Sequence, residues 1–519
     1  QAQGLAMADR LLGNSRITIL TLSDGGAMEG EAREVFASLP GLAARGLVNP
    51  FLLVVSDNNT KLSGRIDLDS FSMAPSFESL STLGWKHVVV EEGHDLGRLV
   101  EVVGSALHEL SQGSLRPIVL QVKTIKGFGV QSTVESASGG HGFPLKKKEE
   151  ILAFLNEIYG GQPIPGPIQK LMQKLMDREQ IQTPVKFARI NEMPEDKIQL
   201  GVSRAMIRAR EENIPVVSLS SDLPGSTGVA GFRKAYPRES FDFGVAEANM
   251  ISAAAGFSRV GLVPVVDTFA QFGVTKGALP FTMAALSMAP IVAVFSHAGF
   301  QDAADGASHQ ALGYVAMMSS IPHVQVHSLS CAEEAESLIY QALRNFYELR
   351  SSGRVPDSHV FFLGRENFPI RYAESMTYQL GKAHVFLDTS KKFSKSVCLV
   401  ASGSLVREAL EAARELEVRG FGSVVVHPSS IKPLDLESIK KSILSCSGRV
   451  VVVEDHQKTG GLAQILLASL SLDSFQVQAR SLGVDQKFGQ SAYEALHLYQ
   501  KHGMDRESIL TSALDLLDP

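Results

Sequence analysis

Along most of the chain, short apolar runs alternate with amphipathic or small-residue stretches, and each apolar run stops at a cluster of polar residues. Ile17 to Leu22 predicts a buried strand ending at Ser23-Asp24-Gly25-Gly26-Ala27-Met28-Glu29-Gly30-Glu31, followed by a helix over Ala32 to Ser38. Phe51 to Val55 predicts a second strand, ending at Asp57-Asn58-Asn59-Thr60. HVVVEE after Trp85, a helix to about Leu110, and PIVLQV complete the first set. A linker follows: GGQPIPGPIQ and a mixed charged segment to about Asp196, with an amphipathic helix near Ile168 to Met176.

The pattern then restarts. A helix holding Ser203 and Arg204 precedes the strand VVSLSSDL and the loop Pro224-Gly225-Ser226-Thr227-Gly228. FDFGV reads as a short strand leading into Ala246-Glu247-Ala248, with a small-residue helix over Ile251 to Gly256. Leu262 to Val266 ends at Asp267-Thr268-Phe269, with Phe272 three residues on. Ile291 to Phe295 ends at His297 and a loop closed by Asp305, His309 and Gln310. HVFFLGRENFPI reads as one strand carrying Arg365. From about Ser390 the alternation resumes with SVCLVAS, SVVVHPSS and RVVVVEDH, and a helix opens after Gly460-Gly461. Alternating strands and helices predict an α/β chain of three domains with mainly parallel sheets. Their boundaries fall at 1–165, 166–195 (linker), 196–375 and 390–519. Open sheets of this kind place ligands at the carboxyl ends of their strands, where these polar clusters gather.

Composition narrows the picture. At 519 residues and 44% hydrophobic content, about three domains of ~150 residues are expected, each with a sizeable core. A net charge of −6 gives no electrostatic case for nucleic acid. Three widely spaced cysteines (Cys331, Cys398, Cys446) offer neither a disulfide framework nor a zinc motif. No apolar run reaches the ~18 residues that span a bilayer and no signal peptide is visible, so a cytoplasmic protein is the expectation.

Two strands ending in oxygen-bearing side chains, Asp24 and Asn58, suit a hard divalent ion held beside a diphosphate. The same residues also make an ordinary pair of turns. Glu247 is equally an acid favoured at a helix N-terminus. A resemblance decides between these readings. AEANM, DTFAQF and DGASHQ resemble the pyrimidine-binding domain of transketolases, and the Asp24-Gly25…Asn58 spacing resembles the GDG…N motif of thiamine diphosphate enzymes. KTIKGFG, GHGFPL, SSDLPGST and GRENFP resemble further transketolase segments in the family's order.

The resemblance implies a thiamine diphosphate-binding fold, with Mg2+ (or Ca2+ or Mn2+) held by Asp24, Asn58 and the Thr60 backbone carbonyl. Gly25 and Asp222 would lie by the cofactor, and Glu29 would belong to the link between the two sites of a dimer. Glu247 would activate the aminopyrimidine, gripped by Phe269 and Phe272. His141, His297 and His309 would act at the reacting centre. Asp305 would bind a donor hydroxyl, and Arg365, Ser226 and Arg204 the substrate phosphate. The implied function is transfer of a two-carbon ketol unit between sugar phosphates by a homodimer whose sites lie between subunits. The C-terminal domain would stand apart from catalysis.

Two alternatives stay open. Deoxyxylulose-phosphate synthases share the glutamate, the metal motif and the phosphate arginine. The opening QAQGLAMADRLLG resembles a segment that lies well inside transketolases. The expectation is therefore that the family's first strand, helix and early histidines are missing, which would suit a catalytically impaired binding or regulatory partner.

Overall fold

The computed structural model describes residues 1–135, 150–177, 194–373 and 376–518; His141 lies outside them. The chain forms two compact units, Gln1–Phe187 with Asp242–Ala246, and Ala188–Phe241 with Glu247–Pro519.

In the first unit, β1 (Thr18–Ser23), β2 (Phe51–Asp57), β3 (Lys86–Val90) and β4 (Ile118–Lys123) form a parallel sheet in the order β1-β2-β4-β3. Parallel neighbours require crossovers, and the helices that supply them cover both faces. The helices Gly30–Ala44 and Ala74–Thr82 pack Phe36, Leu39, Phe77 and Leu80 with Phe51 and Trp85. The helix Leu96–Ser111 sets Ala106 and Leu110 against Leu52, Ile118 and Leu120 on the other side. Trp85 is fully buried, and its indole N–H donates to the Phe36 carbonyl at 2.9 Å, which satisfies the one polar atom it carries into the core.

A short excursion of the chain, Asp242–Ala246, also belongs to this unit. Lys61 and Asp242 form an ion pair at 3.3 Å with side chains only 1% and 3% exposed. Ser70 donates to the other Asp242 oxygen at 2.9 Å, and Val245 joins the core around Phe36.

The second unit contains β5 (Glu195–Lys197), β6 (Val216–Ser220), most of β7 (Ser240–Asp242), β8 (Val263–Phe269), β9 (Val292–Ser296), β10 (Val324–Ser328), β11 (Ser358–Phe362) and β12 (Asn367–Pro369). It continues with β13 (Ala383–Asp388), β14 (Ser396–Ala401), β15 (Gly422–Pro428), β16 (Ser430–Lys432), β17 (Arg449–Gln457) and β18 (Gln478–Val484). A seven-stranded sheet runs β16-β10-β11-β9-β8-β6-β7, and a five-stranded sheet runs β13-β15-β14-β17-β18. Strands β10, β11, β9, β8 and β6 are mutually parallel, as are β15, β14, β17 and β18; β13 and β16 are antiparallel edges. Fully buried runs such as VPVVDTF and VAVFS are what strands covered on both faces require.

Four expected elements differ. HVFFLGRENFPI is two strands, broken at Gly364 and Arg365, and β12 turns away to pair with β5. SVVVHPSS also splits: β15 stays in the five-stranded sheet, while β16, one residue later, crosses to the seven-stranded sheet beside β10. That crossing joins the two sheets within one unit. FDFGV is strand only to Asp242, because the rest of it packs into the first unit. The small-residue helix is longer than expected, Glu247–Arg259.

Candidate active-site elements

In the first unit, β1 and β2 end side by side, with Ser23 opposite Ser56, so the loops after them are neighbours. Asp24 is fully buried. One of its oxygens accepts from Gly25 N at 2.9 Å, the other from Asn58 N at 2.8 Å and Asn59 N at 2.5 Å. Burial raises its pKa, and the three N–H donors pull against that rise. A carboxylate holding three donors still has acceptor positions to offer. Asn58 Oδ1 is buried with no hydrogen-bond partner among the described residues. Buried acceptors are normally satisfied, so this one fits a bound cation. Asn59 takes a left-handed backbone (φ 54°), and Thr60 Oγ1 bonds to Asn58 O at 3.0 Å and to Arg65 at 2.8 Å. Among the described residues no three His, Cys, Asp or Glu side chains cluster as a metal site. A cation here would rely on one carboxylate, one amide oxygen and backbone, a donor set for a hard ion. Gly25 has an ordinary right-handed φ of −60°, and Glu29 precedes the helix Gly30–Ala44.

In the second unit, four neighbouring parallel strands, β11, β9, β8 and β6, carry polar or aromatic groups at their carboxyl ends: Arg365, His297, Phe269 and Asp222 in that order. Asp222 (φ 62°) and His297 (φ 63°) both adopt the left-handed region, a cost of the order of 1–3 kcal/mol each that surrounding structure must maintain. Such strain clusters at functional sites. His297 Nδ1 pairs with Ser296 Oγ at 2.8 Å, and its ring lies 3.9 Å from that of Phe269. Burial, then the charges of Arg365, Lys197 and His309, hold its pKa well below the usual value, so the imidazole is neutral near pH 7. His309 sits edge-on to Phe272 at 5.1 Å and 6.5 Å from Phe269. Glu247 is 4% exposed and opens the helix Glu247–Arg259.

Arg365 is held by acids: Nη1 bonds to Asp302 at 2.6 Å and Asp305 at 3.3 Å. Lys197 donates to the Arg365 carbonyl at 2.8 Å. Arg204 does not join this group. It lies on the surface of the helix Leu200–Glu211, 3.8 Å from Glu336, because its position faces the neighbouring helix Ala332–Ser351 rather than a strand end. Ser226 is exposed in the turn Pro224–Thr227.

Sequence reasoning assigns no role to Asp267, Asp302, Lys197, Gly299, Gln301 and Tyr499, and reads Asp455 as structural. Asp267 accepts from Ser220 at 2.8 Å and Thr227 at 2.6 Å, tying the Asp222 loop to β8. Asp302 and Lys197 flank Arg365 as described. Asp455, at the end of β17, accepts the Phe300 N–H at 2.9 Å and the Tyr499 hydroxyl at 2.8 Å. Tyr499 receives a bond from Gln301 at 2.9 Å, and Gln301 in turn accepts from Arg365 N and Glu366 N, both at 2.9 Å. Gly299 has φ +67°, and a Cβ there would stand 2.1 Å from Asp455 Cγ, so only glycine fits. The C-terminal domain therefore buttresses the His297–Gln310 loop. The visible signal was an acid at a strand end, Asp455 in VVVVEDH.

The acceptor-lined loop of the first unit suits a hard cation, and the aromatic, histidine and acid group of the second suits a ligand with an aromatic ring. The thiamine diphosphate-binding domain of transketolase matches residues 11–181, the transketolase pyrimidine-binding domain 197–351, and the transketolase C-terminal domain 388–509. A putative transketolase C-terminal section from Methanocaldococcus jannaschii is 30% identical over 314 residues, 60% of this chain and 92% of that one. Human transketolase-like protein 2 is 29% identical over 482 residues, 91% of this chain and 72% of its own length. A solved split-gene transketolase, described as an inactive β4 tetramer, is 26% identical with a TM-score of 0.53, covering 62% of this chain and 99% of its own. The chain belongs to the transketolase family.

Proposed function

We propose that this protein transfers a two-carbon ketol unit from a ketose phosphate to an aldose phosphate with thiamine diphosphate and a divalent cation such as Mg2+. The observation that carries the proposal is the row Arg365, His297, Phe269 and Asp222 along four adjacent strand ends, with Glu247 buried at a helix start. Asp24, Asn58 and Thr60 would hold the cation, and Gly25 and Asp222 would contact the cofactor. Phe269 and Phe272 would pack on its pyrimidine ring, which Glu247 would orient by a hydrogen bond. When bound, the cofactor supplies the carbanion chemistry; the protein supplies orientation and electrostatics.

His297, neutral and fixed by Ser296, is suited to donate or accept a hydrogen bond at a substrate hydroxyl. His309, edge-on to Phe272, is suited to move a proton at the same centre. Asp305 would hold a donor hydroxyl, and Arg365, with donors beyond Nη1, would meet the phosphate. Ser226 would assist. Arg204 has no part in this arrangement. His141 keeps the role its flanking motif implies as a proposal only, and so does Glu29 in linking two sites.

A homodimer is part of the proposal. Leu279, Met283 and Leu286, spaced on one face of the helix Ala270–Leu286, are 70%, 50% and 76% exposed, as an apolar contact surface would be. Among the described residues no helix is long and apolar enough to cross a membrane. The test offers the purified chain, with cofactor and Mg2+, a ketose phosphate or pyruvate as donor and an aldose phosphate as acceptor. Ketol transfer from the ketose supports the proposal. Turnover of pyruvate alone would mean a deoxyxylulose-phosphate synthase activity. With neither, while cofactor still binds, the chain acts as an impaired homologue. Light scattering reports the dimer.

A further inference from the structure

Arg365 occupies an unusual position for an anion ligand. Its Nη1 already bonds to Asp302 and Asp305, so two carboxyls face one guanidinium. Asp302 is fully buried, and its second oxygen receives no donor among the described residues. Arg365 keeps 43% of its side chain exposed and Asp305 50%, so the open side of the pair faces solvent. An oxyanion arriving there meets a guanidinium partly neutralised by Asp302.

We infer that Asp302 competes with an anionic ligand for Arg365, so that binding an oxyanion such as the phosphate of a sugar phosphate takes up a proton onto Asp302. The inference rests on the reading of Arg365 as the phosphate ligand. An oxyanion joining Asp302 and Asp305 sets three negative groups around one positive charge, and the cheaper outcome is to neutralise the buried carboxyl. Burial, then the neighbouring Asp305 carboxyl, already push Asp302 up to about 7, against the pull of Arg365. Loss of that pull to an incoming anion moves it further up.

The other charged groups around Asp302 come from several elements. Asp305 and His309 share its loop, and His297 stands at the end of β9. Arg365 and Glu366 follow β11, and Lys197 lies on β5. From the C-terminal domain, Asp455 and Tyr499 bind the preceding residues Phe300 and Gln301. The Asp302→Asn variant isolates Asp302 from these groups.

The probe is inorganic sulfate, whose charge stays constant from pH 6 to pH 8. Calorimetric titration of the full chain at both pH values, in buffers of differing ionisation enthalpy, reads affinity and proton uptake together. If only the protonated Asp302 form binds, affinity should fall about tenfold from pH 6 to pH 8 for a group titrating near 7. Proton uptake should approach one per anion at pH 8. Asp302→Asn should bind with pH-independent affinity, about tenfold tighter than the parent at pH 8, with no buffer-dependent heat. Arg365→Gln should lose binding at both pH values. Binding that needs Arg365 but is flat with pH, or a pH dependence that survives Asp302→Asn, overturns the role of Asp302 and leaves Arg365 as the anion ligand. Sulfate binding that ignores Arg365→Gln, or none at all, removes the anion subsite and this inference with it. The two-buffer measurement on the unmutated chain stands even if a variant fails to fold.

Discussion

Asp24, directly after β1, and Asp302, in the loop after β9, are both fully buried aspartates pushed upward by burial, yet their surroundings differ in kind. Asp24 is met by three backbone N–H groups. Asp302 is met by a guanidinium and, on its other side, a second carboxyl. Backbone donors cannot move away without breaking the loop, so the first unit presents a fixed acceptor set suited to a permanent ion. Side-chain partners can exchange, so the second unit presents charges that an arriving anion would rearrange on the inference above. The fixed loop sits beside a buried ion pair, Lys61 with Asp242; the exchangeable one leans on the C-terminal domain through Asp455 and Tyr499.

Breaking the fixed side should have the largest effect. Lys61→Met leaves Asp242 buried without its cation and should cost about 3–5 kcal/mol of stability. Urea unfolding of the first unit checks this, and Lys61→Met with Asp242→Leu should recover most of the loss. An unchanged midpoint for the single variant would mean that the pair is not buried in solution.

Glu247→Gln keeps shape and removes charge. Turnover should fall at least ~10²–10³-fold with cofactor saturating, the range seen when one preorganised catalytic contact is removed. A melting temperature close to the parent's would assign the loss to chemistry; activity within a few-fold of the parent would free Glu247 of the role.

Asp24→Asn tests the acceptor set itself. Thiamine diphosphate affinity in Mg2+ should drop ~10–100-fold toward the value measured with a chelator. Equal affinities for parent and variant, with and without chelator, would refute a metal at this loop.

Tyr499→Phe is the mildest change and probes the buttress. Losing the bonds that tie Gln301 to Asp455 should weaken donor binding by about 1 kcal/mol, roughly fivefold in KM, with kcat little changed. An effect on thermal stability alone, with KM unmoved, would make Tyr499 a packing residue and nothing more.

Most strands of both sheets were legible because a parallel strand covered on two faces must be a short, continuous apolar run, and FLLVV, VPVVD and VAVFS are such runs. Their polar endings were legible for the same reason: a residue that stops a buried strand is where water or a ligand begins. The expected strand through Arg365 failed at Gly364, since β12 leaves to pair with β5, a partner that lies far away in the chain. Arg204 failed differently. The resemblance implied a phosphate ligand there, only with a gap in the match, and the helix Leu200–Glu211 turns that position toward Glu336.

Local pattern by itself determined the α/β class, the run of strand ends and the residue types gathered there, because burial and turn chemistry are short-range constraints. It also determined the family, since AEANM, DTFAQF and DGASHQ keep their order along the chain. Tertiary structure alone decided which charges meet. Asp302 lies 63 residues from Arg365 in sequence, and Asp455 lies 155 from Phe300. No periodicity encodes such a pairing; it arises only when β9, β11 and β17 bring their loops together. The C-terminal domain's hold on the His297 loop was hidden for that reason: a hydrogen bond depends on distances of about 3 Å in space, and separation along the chain says nothing about them.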